Sequence, residues 1–316
     1  MRFTVEHPVG RPGCVPALYS PAGPAAFARA AEEAGFDAVA FTEHPAPSAK
    51  WYRAGGHATL DPLAALAFCA AATERIRLLT YLLVLPYYNP LALAKTVATV
   101  DLLSAGRLVL GAGGGYLRSE FTAVGAGFAE RGELFDEALG VLRSVWATEE
   151  FSFAGRGFTA HGQVSTPAPV QRPCPPVWIG GNGRVARRRV ARAGQGWAPL
   201  LIGEELAATT RTTPLETVAE LAAAIRELAG LAEAQGRDPA GIDVQVQSAQ
   251  SDLSEQGAPA AGHDGHLAEL AVAGVTWFVV RTPATSLEAA TDALARYGAD
   301  VISRHRTDPP TEGRKR

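Results

Sequence analysis

Short β-branched and apolar runs alternate with alanine-rich helical patterns along nearly the whole chain, and this alternation restricts the possible folds more than any other feature. A strand, a helix and another strand in sequence read as a parallel sheet with its crossovers on the outside. Strands are expected at Arg2–Glu6, Ala38–Glu43, Ile76–Val84, Arg107–Ala112, Pro176–Gly181, Gly196–Leu200, Ile242–Gln247 and Thr276–Arg281. Helical patterns fall at Pro24–Ala34, Pro62–Ala72, Leu91–Leu103, Arg131–Trp146, Val185–Ala193, Glu216–Ala234, His266–Ala273 and Leu287–Tyr297. Gly35, Gly274 and Gly298 stand where left-handed C-caps are expected. Eight such units read as an α/β fold of the (β/α)8 TIM-barrel type, whose reactive groups gather at the carboxyl ends of the strands.

A chain of 316 residues, 47% apolar, is long enough for one such barrel. One barrel domain is expected over residues 1–303. The stretch at about 151–177 breaks the rhythm between the fourth helix and the fifth strand, and reads as an inserted loop with a small hairpin. The charged residues 304–316 read as a flexible tail. A net charge of −3 supplies no basic field for nucleic acid. No run reaches the roughly 18 apolar residues of a membrane span, and "MRFTVEH" lacks the apolar centre of a signal peptide. Cys14, Cys69 and Cys174 are too scattered for a disulfide framework or a zinc site. A cytoplasmic protein acting on a small molecule is expected.

The second strand ends in "FTEHP", which puts Glu43 and His44 on the active face. A histidine there either exchanges protons near neutrality or is a loop residue held by hydrogen bonds. "KWYRAGGH" follows, with Trp51, Tyr52 and His57 in a position to cover a flat ring or simply to pack the loop. Thr80 is the one small polar interruption of the apolar third strand. In "RLVLGAGGGYLRSEF", Gly111 and Gly113 fit the first two glycines of a dinucleotide fingerprint, but Tyr116 occupies the place of the third. These glycines are therefore read as a tight exit from the fourth strand beside a ligand. "VWIGGNGRVARRR" resembles an anion cradle: Gly180, Gly181 and Gly183 precede a helix start, with Arg184 and Arg187 to Arg189 behind, although a solvated arginine face would look alike. His263 and His266 lack a third ligand, so no metal is expected. The nucleophile elbow, the Walker lysine and the HExxH motif are all absent. A bound cofactor is then expected to supply the reactivity.

Three stretches, Ala28–Pro47, Asp61–Trp146 and Pro175–Trp197, together resemble the bacterial luciferase-like monooxygenase family, and within it the branch assigned to the deazaflavin coenzyme F420. The likeness runs from about Phe3 to Leu200. It implies a luciferase-like barrel with F420 as cofactor, FMN being the alternative. It also implies that His44 lies beside the redox ring with Glu43 as its acidic neighbour, and that a non-proline cis peptide forms a bulge at Tyr81–Leu82 next to Thr80. Gly113, Gly114, Gly115 and Tyr116 would face the cofactor, and Gly180, Gly181 and Asn182, with Arg184 behind them, would receive its phosphate. Trp51, Tyr52 and His57 would form the substrate lid. The activity implied is hydride exchange between the deazaflavin C5 and an organic substrate. The alternatives are an FMN-dependent monooxygenase fed by a partner reductase and a binding protein without turnover; a homodimer is the usual assembly. Tyr81 is bulkier than the residues frequent at its position. Tyr116 replaces the acidic residue of the superfamily's sugar-phosphate dehydrogenases.

Overall fold

The alternating runs form strands that close on themselves. The computed structural model describes residues 1–305, and in it β1 (Arg2–Glu6), β2 (Ala38–Phe41), β3 (Arg77–Thr80), β4 (Leu83–Val84), β5 (Leu108–Gly113), β6 (Phe151–Gly155), β7 (Phe158–Gln163), β8 (Val177–Gly180), β9 (Gly196–Ala198), β10 (Asp243–Val246) and β11 (Trp277–Arg281) follow in chain order. Neighbours pair in the order β1, β2, β3, β5, β8, β9, β10, β11 and back to β1, all parallel. This is a closed eight-stranded (β/α)8 barrel. The expected third strand is split: it breaks after Thr80 at a cis Tyr81–Leu82 peptide and resumes as β4, still paired with β5.

Side chains alternate between the barrel interior and the helical layer, as the two-residue period of a strand requires. Ala38, Ala40, Leu79, Val109, Trp178, Ala198, Trp277 and Val279 form the inner cluster. Trp178 meets Trp277 edge to face at 5.0 Å and fills the floor. Gly196 makes that possible, because a Cβ there would lie 2.3 Å from Trp178 Cδ1. The opposite faces carry Phe3, Val5, Val39, Phe41, Leu108 and Phe278 into the helical layer.

That layer consists of α1 (Gly23–Glu33), α2 (Ala49–Arg53), α3 (Pro62–Ala70), α4 (Pro90–Leu103), α5 (Arg118–Ala123), α6 (Arg131–Ala147), α7 (Arg184–Ala193), α8 (Glu204–Thr210), α9 (Val218–Glu233), α10 (His263–Val272), α11 (Leu287–Tyr297) and α12 (Ser303–His305). The short α2, α5 and α8 lie in loops at the carboxyl face. Local chemistry sets several starts: Asp61 and Asn89 cap α3 and α4, each followed by a proline preset for the first helical turn. Leu66, Val97, Leu142 and Leu294 are fully covered, each burial contributing about 1.5–3 kcal/mol.

Gly35 and Gly274 take the left-handed conformation expected of them. Gly298 does not: its φ is −58°, and the chain continues in a helical turn. This glycine is required by close approach, since a Cβ would sit 2.3 Å from the Ala34 carbonyl oxygen at the end of α1. The insertion contains the antiparallel hairpin β6–β7. Gln171 fastens its far end, its amide donating to Asp101 Oδ1 and the Leu108 carbonyl at 2.7 Å each. Of the expected tail, Arg304 and His305 close α12, and the remainder lies outside the described residues.

Candidate active site

The carboxyl ends of β2, β3 and β5 bring a polar cluster together. His44 follows β2, and its backbone is latched to Thr59: the His44 N–H donates to Thr59 Oγ1 at 3.1 Å, and that hydroxyl donates back to the His44 carbonyl at 3.0 Å. The imidazole is largely buried and lies 3.0 Å from Glu120 Oε2 through Nδ1. Glu120 also accepts from the Tyr87 hydroxyl at 3.2 Å and from the Ala46 N–H at 3.1 Å. Those three contacts are donors to an ionised carboxylate, so a neutral His44 carries its proton on Nδ1. Its Nε2 then accepts from the Tyr116 hydroxyl at 3.3 Å. The outcome is a Glu–His–Tyr relay in which the carboxylate fixes the tautomer and leaves Nε2 as the exchanging atom.

Glu43, the residue before His44, does something else. Its carboxylate is buried, accepts from the Val84 N–H at 2.5 Å and from the Tyr88 hydroxyl, and so ties the end of β2 to the chain beyond the bulge. Burial pushes its carboxyl up to about 7, only partly offset by those two donors.

Trp51 and His57 close over the cluster, at 4.6 and 5.2 Å from the His44 ring. Trp51 rests on Gly56, where a Cβ would lie 2.3 Å from the indole. Tyr52 is not brought to this group: it is 52% exposed and makes none of the ring contacts around His44. Burial lowers the tendency of His57 to take a proton.

At the bulge, Tyr81 faces the barrel interior and its hydroxyl is buried without a hydrogen-bond partner. Thr80 is committed to structure, its hydroxyl donating to the Gly111 carbonyl at 2.8 Å. The glycines around it have a packing reason. A Cβ on Gly111 would lie 1.9 Å from the Thr80 carbonyl oxygen, and one on Gly180 would lie 2.0 Å from Leu82 Cδ1. Gly113 also abuts Leu82, at 3.4 Å, whereas Gly114 borders open space. Gly115 needs its positive φ of 72° and its small size against Val84 and Phe121.

After β8 the expected cradle is partly spent inside the protein. The Asn182 side chain donates to the Leu200 and Thr213 carbonyls and accepts from the Leu200 N–H, all at 2.8 Å. Arg184 is paired with Glu227 at 2.6 Å, and Arg187 with both Glu227 and the Asn182 carbonyl. Those arginines brace α7 against α9. The α7 N-terminus itself carries no side-chain cap, so the amides following Gly183 keep their anion-binding character, whereas the Asn182 N–H is spent on Thr212.

Cationic charge enters this region from residues the motif did not mark. The guanidinium groups of Arg131, Arg118 and Arg211 lie 4.2, 4.5 and 5.4 Å from the centre of the Phe128 ring. None of the three is ion-paired with an acidic residue among the described residues. Arg118 opens the helix after the Gly113–Gly115 loop, and Arg211 precedes Thr212, whose hydroxyl accepts from the Asn182 N–H at 2.8 Å. The cluster therefore bridges the two glycine loops. His263 and His266 are engaged elsewhere, with the Tyr297 and Ser248 hydroxyls at 2.8 and 3.0 Å.

Sequence reading missed Glu120, Tyr87, Tyr88 and the Phe128 arginines. A signal for Glu120 existed: it lies four positions after Tyr116, in the first turn of a helix leaving the active face. No helix among the described residues is long and apolar enough to cross a membrane.

A parallel barrel with a buried polar cluster at its carboxyl mouth and an uncapped helix start beside it places its reactive groups where barrels of this type hold their active sites. A family profile described as "Luciferase-like monooxygenase" matches residues 1–251, and the chain belongs to that family. Among its relatives, an F420-dependent glucose-6-phosphate dehydrogenase of Kineococcus radiotolerans is 34% identical over 183 residues, which cover 57% of this chain and 52% of that one. An FMNH(2)-dependent dimethylsulfone monooxygenase of Pseudomonas putida is 32% identical over 125 residues, 39% of this chain and 34% of that one. The chain thus spans about half the length, or less, of these curated relatives. The monooxygenase RslO1 from Streptomyces bottropensis shares the fold over 97% of this chain and 100% of its own, with a TM-score of 0.75 at 23% identity. An F420-dependent secondary alcohol dehydrogenase, solved with an F420-acetone adduct, does so over 96% and 98%, with a TM-score of 0.74 at 16% identity.

Proposed function

We propose that the protein is an F420-dependent oxidoreductase acting on a small organic substrate. The observation that carries this reading is the group of three arginines around Phe128, unmatched by acidic residues and set between the loops after β5 and β8. FMN ends in a single phosphate, whereas the deazaflavin coenzyme continues beyond its phosphate into further carboxylates. Three unpaired guanidinium groups suit the longer anionic tail. The uncapped start of α7 suits the phosphate, and Gly114, where a Cβ would meet nothing within 4 Å, leaves room for a flat ring.

When bound, the deazaflavin supplies two-electron hydride exchange. The chain supplies position and protons. His44 Nε2 gives or takes the proton on the substrate, and Glu120 holds the imidazole in the tautomer that allows it. Trp51 and His57 cover that atom against water. Glu43 holds the Val84 amide and the Tyr88 hydroxyl, positioning the bulge under the site.

Fluorescence titration of apoprotein with F420 and with FMN tests the reading. F420 should bind at least about tenfold more tightly, the difference should shrink with salt, and glutamine at Arg118, Arg131 or Arg211 should weaken F420 by about three- to tenfold each. Tight FMN binding with none for F420 would defeat it in favour of the FMN-dependent monooxygenase, the activity of a related chain.

A further inference from the structure

At the carboxyl end of β11, the Arg281 side chain lies in the barrel mouth, only 24% exposed, and makes no hydrogen bond to any described residue. Its Nε is buried and unpartnered. The neighbouring carboxylates stand off, Asp252 Oδ1 at 3.4 Å and Glu6 Oε2 at 3.6 Å. Asp252 is shared with Arg11 at 3.1 Å, and Arg11 is itself anchored to the Thr282 carbonyl at 2.9 Å. Glu6 is buried, and burial pushes its carboxyl toward the neutral form. The guanidinium is thus within ion-pair range of two carboxylates, yet its side-chain donors form no hydrogen bond and stay available to a ligand.

A second unspent donor facing the barrel interior is Tyr81. Its hydroxyl is buried and bonded to nothing, and it lies within the electrostatic reach of both Glu6 and Arg281. His57 lies within reach of Arg281 on one side and of His44 on the other. The geometry joins these groups: a Cβ on Gly10 would meet both Glu6 Oε1 at 3.2 Å and His57 Cε1 at 3.8 Å, so the Glu6–Arg281 pair adjoins His57, which in turn lies 5.2 Å from the His44 ring.

We propose that Arg281 and Tyr81 form the subsite for a carboxylate of the organic substrate, whose reacting carbon then extends past His57 toward His44. The part played by His44 rests on the oxidoreductase reading above; the subsite stands on its own geometry. A planar group with one negative charge matches a single guanidinium fork and a phenol donor. Glu6 and Asp252 already stand against the guanidinium groups of Arg11 and Arg281, so the second charge of a phosphate dianion would have no cation to meet it and a sugar phosphate is disfavoured here.

Calorimetric titration of phenylacetate, phenylacetamide and phenyl phosphate tests this, on the protein alone and again with F420 or FMN present. Phenylacetate should bind at least about tenfold more tightly than its neutral amide and more tightly than the phosphate ester. Arg281→Gln should abolish the preference. Tyr81→Phe removes an oxygen that bonds to nothing, so it should fold normally and reduce phenylacetate affinity by about three- to tenfold. F420 affinity, read by its own fluorescence, should be unchanged in both variants. Equal binding of acid and amide, no binding of either, a preference surviving Arg281→Gln, or tighter binding of phenyl phosphate would each overturn the proposal. If the preference holds while F420 fails to bind, the subsite stands and the cofactor assignment falls.

Discussion

Replacing Glu120 with glutamine keeps the shape of the side chain and removes one acceptor from a group that uses three. Oε2 serves His44 Nδ1 and the Tyr87 hydroxyl, and Oε1 serves the Ala46 N–H. A glutamine has one carbonyl oxygen. Set toward His44, its NH2 opposes the Ala46 N–H; set the other way, the NH2 faces Nδ1 and drives the imidazole into the opposite tautomer. The first orientation leaves a donor facing a donor in a buried place, at a cost of about 1–3 kcal/mol, and the second avoids that cost only by giving up the tautomer. In a chain of this length that cost lowers Tm by about 2–5 °C. Loss of the correct tautomer should reduce turnover by about 10²- to 10⁴-fold while cofactor affinity stays nearly constant. Long-range proton–nitrogen NMR of His44 reads the cause directly: Nδ1–H in the parent protein, and loss of that single form in the variant. An Nε2–H tautomer in the parent protein, or a Glu120→Gln variant with unchanged Tm and turnover, would refute the relay.

Glu43 yields a pH prediction. Its carboxyl is raised from 4.5 to about 7 in the fold, so between those values the folded protein holds a proton that the unfolded chain has lost. Stability should therefore fall as pH rises through that window, by up to about 3 kcal/mol, and level off above it. Glu43→Gln should flatten this part of the profile in urea unfolding at several pH values, and parallel profiles would contradict the assignment. Gly111→Ala puts a Cβ against the Thr80 carbonyl and should cost more than about 3 kcal/mol, whereas Gly114→Ala, which meets nothing within 4 Å, should stay within about 0.5 kcal/mol in the same measurement.

The barrel was legible because strand and helix periods differ and the chain alternates them cleanly. His44 was legible because a strand ending in Thr-Glu-His-Pro has one place to put a histidine. Glu120 and Tyr87 were not, since each acts through a contact 33 to 76 positions away in sequence, and no local pattern marks such a partner. Arg184 and Arg187 after β8 looked like anion ligands because spacing along a helix does not reveal that Glu227, on α9, claims them. Gly298 looked like a cap for a similar reason: the Ala34 carbonyl that excludes its side chain comes from the other end of the chain.

Leu82 reaches from the bulge to touch both Gly113 and Gly180, which belong to two different strands. Drift at any one of these three positions is therefore conditional on the others. A lineage that enlarges residue 180 must first shrink residue 82, and shrinking 82 leaves a gap beside 113. Related barrels should accordingly vary these sites as correlated sets, and grafting a single residue from one relative into another should fail where exchanging all three together succeeds.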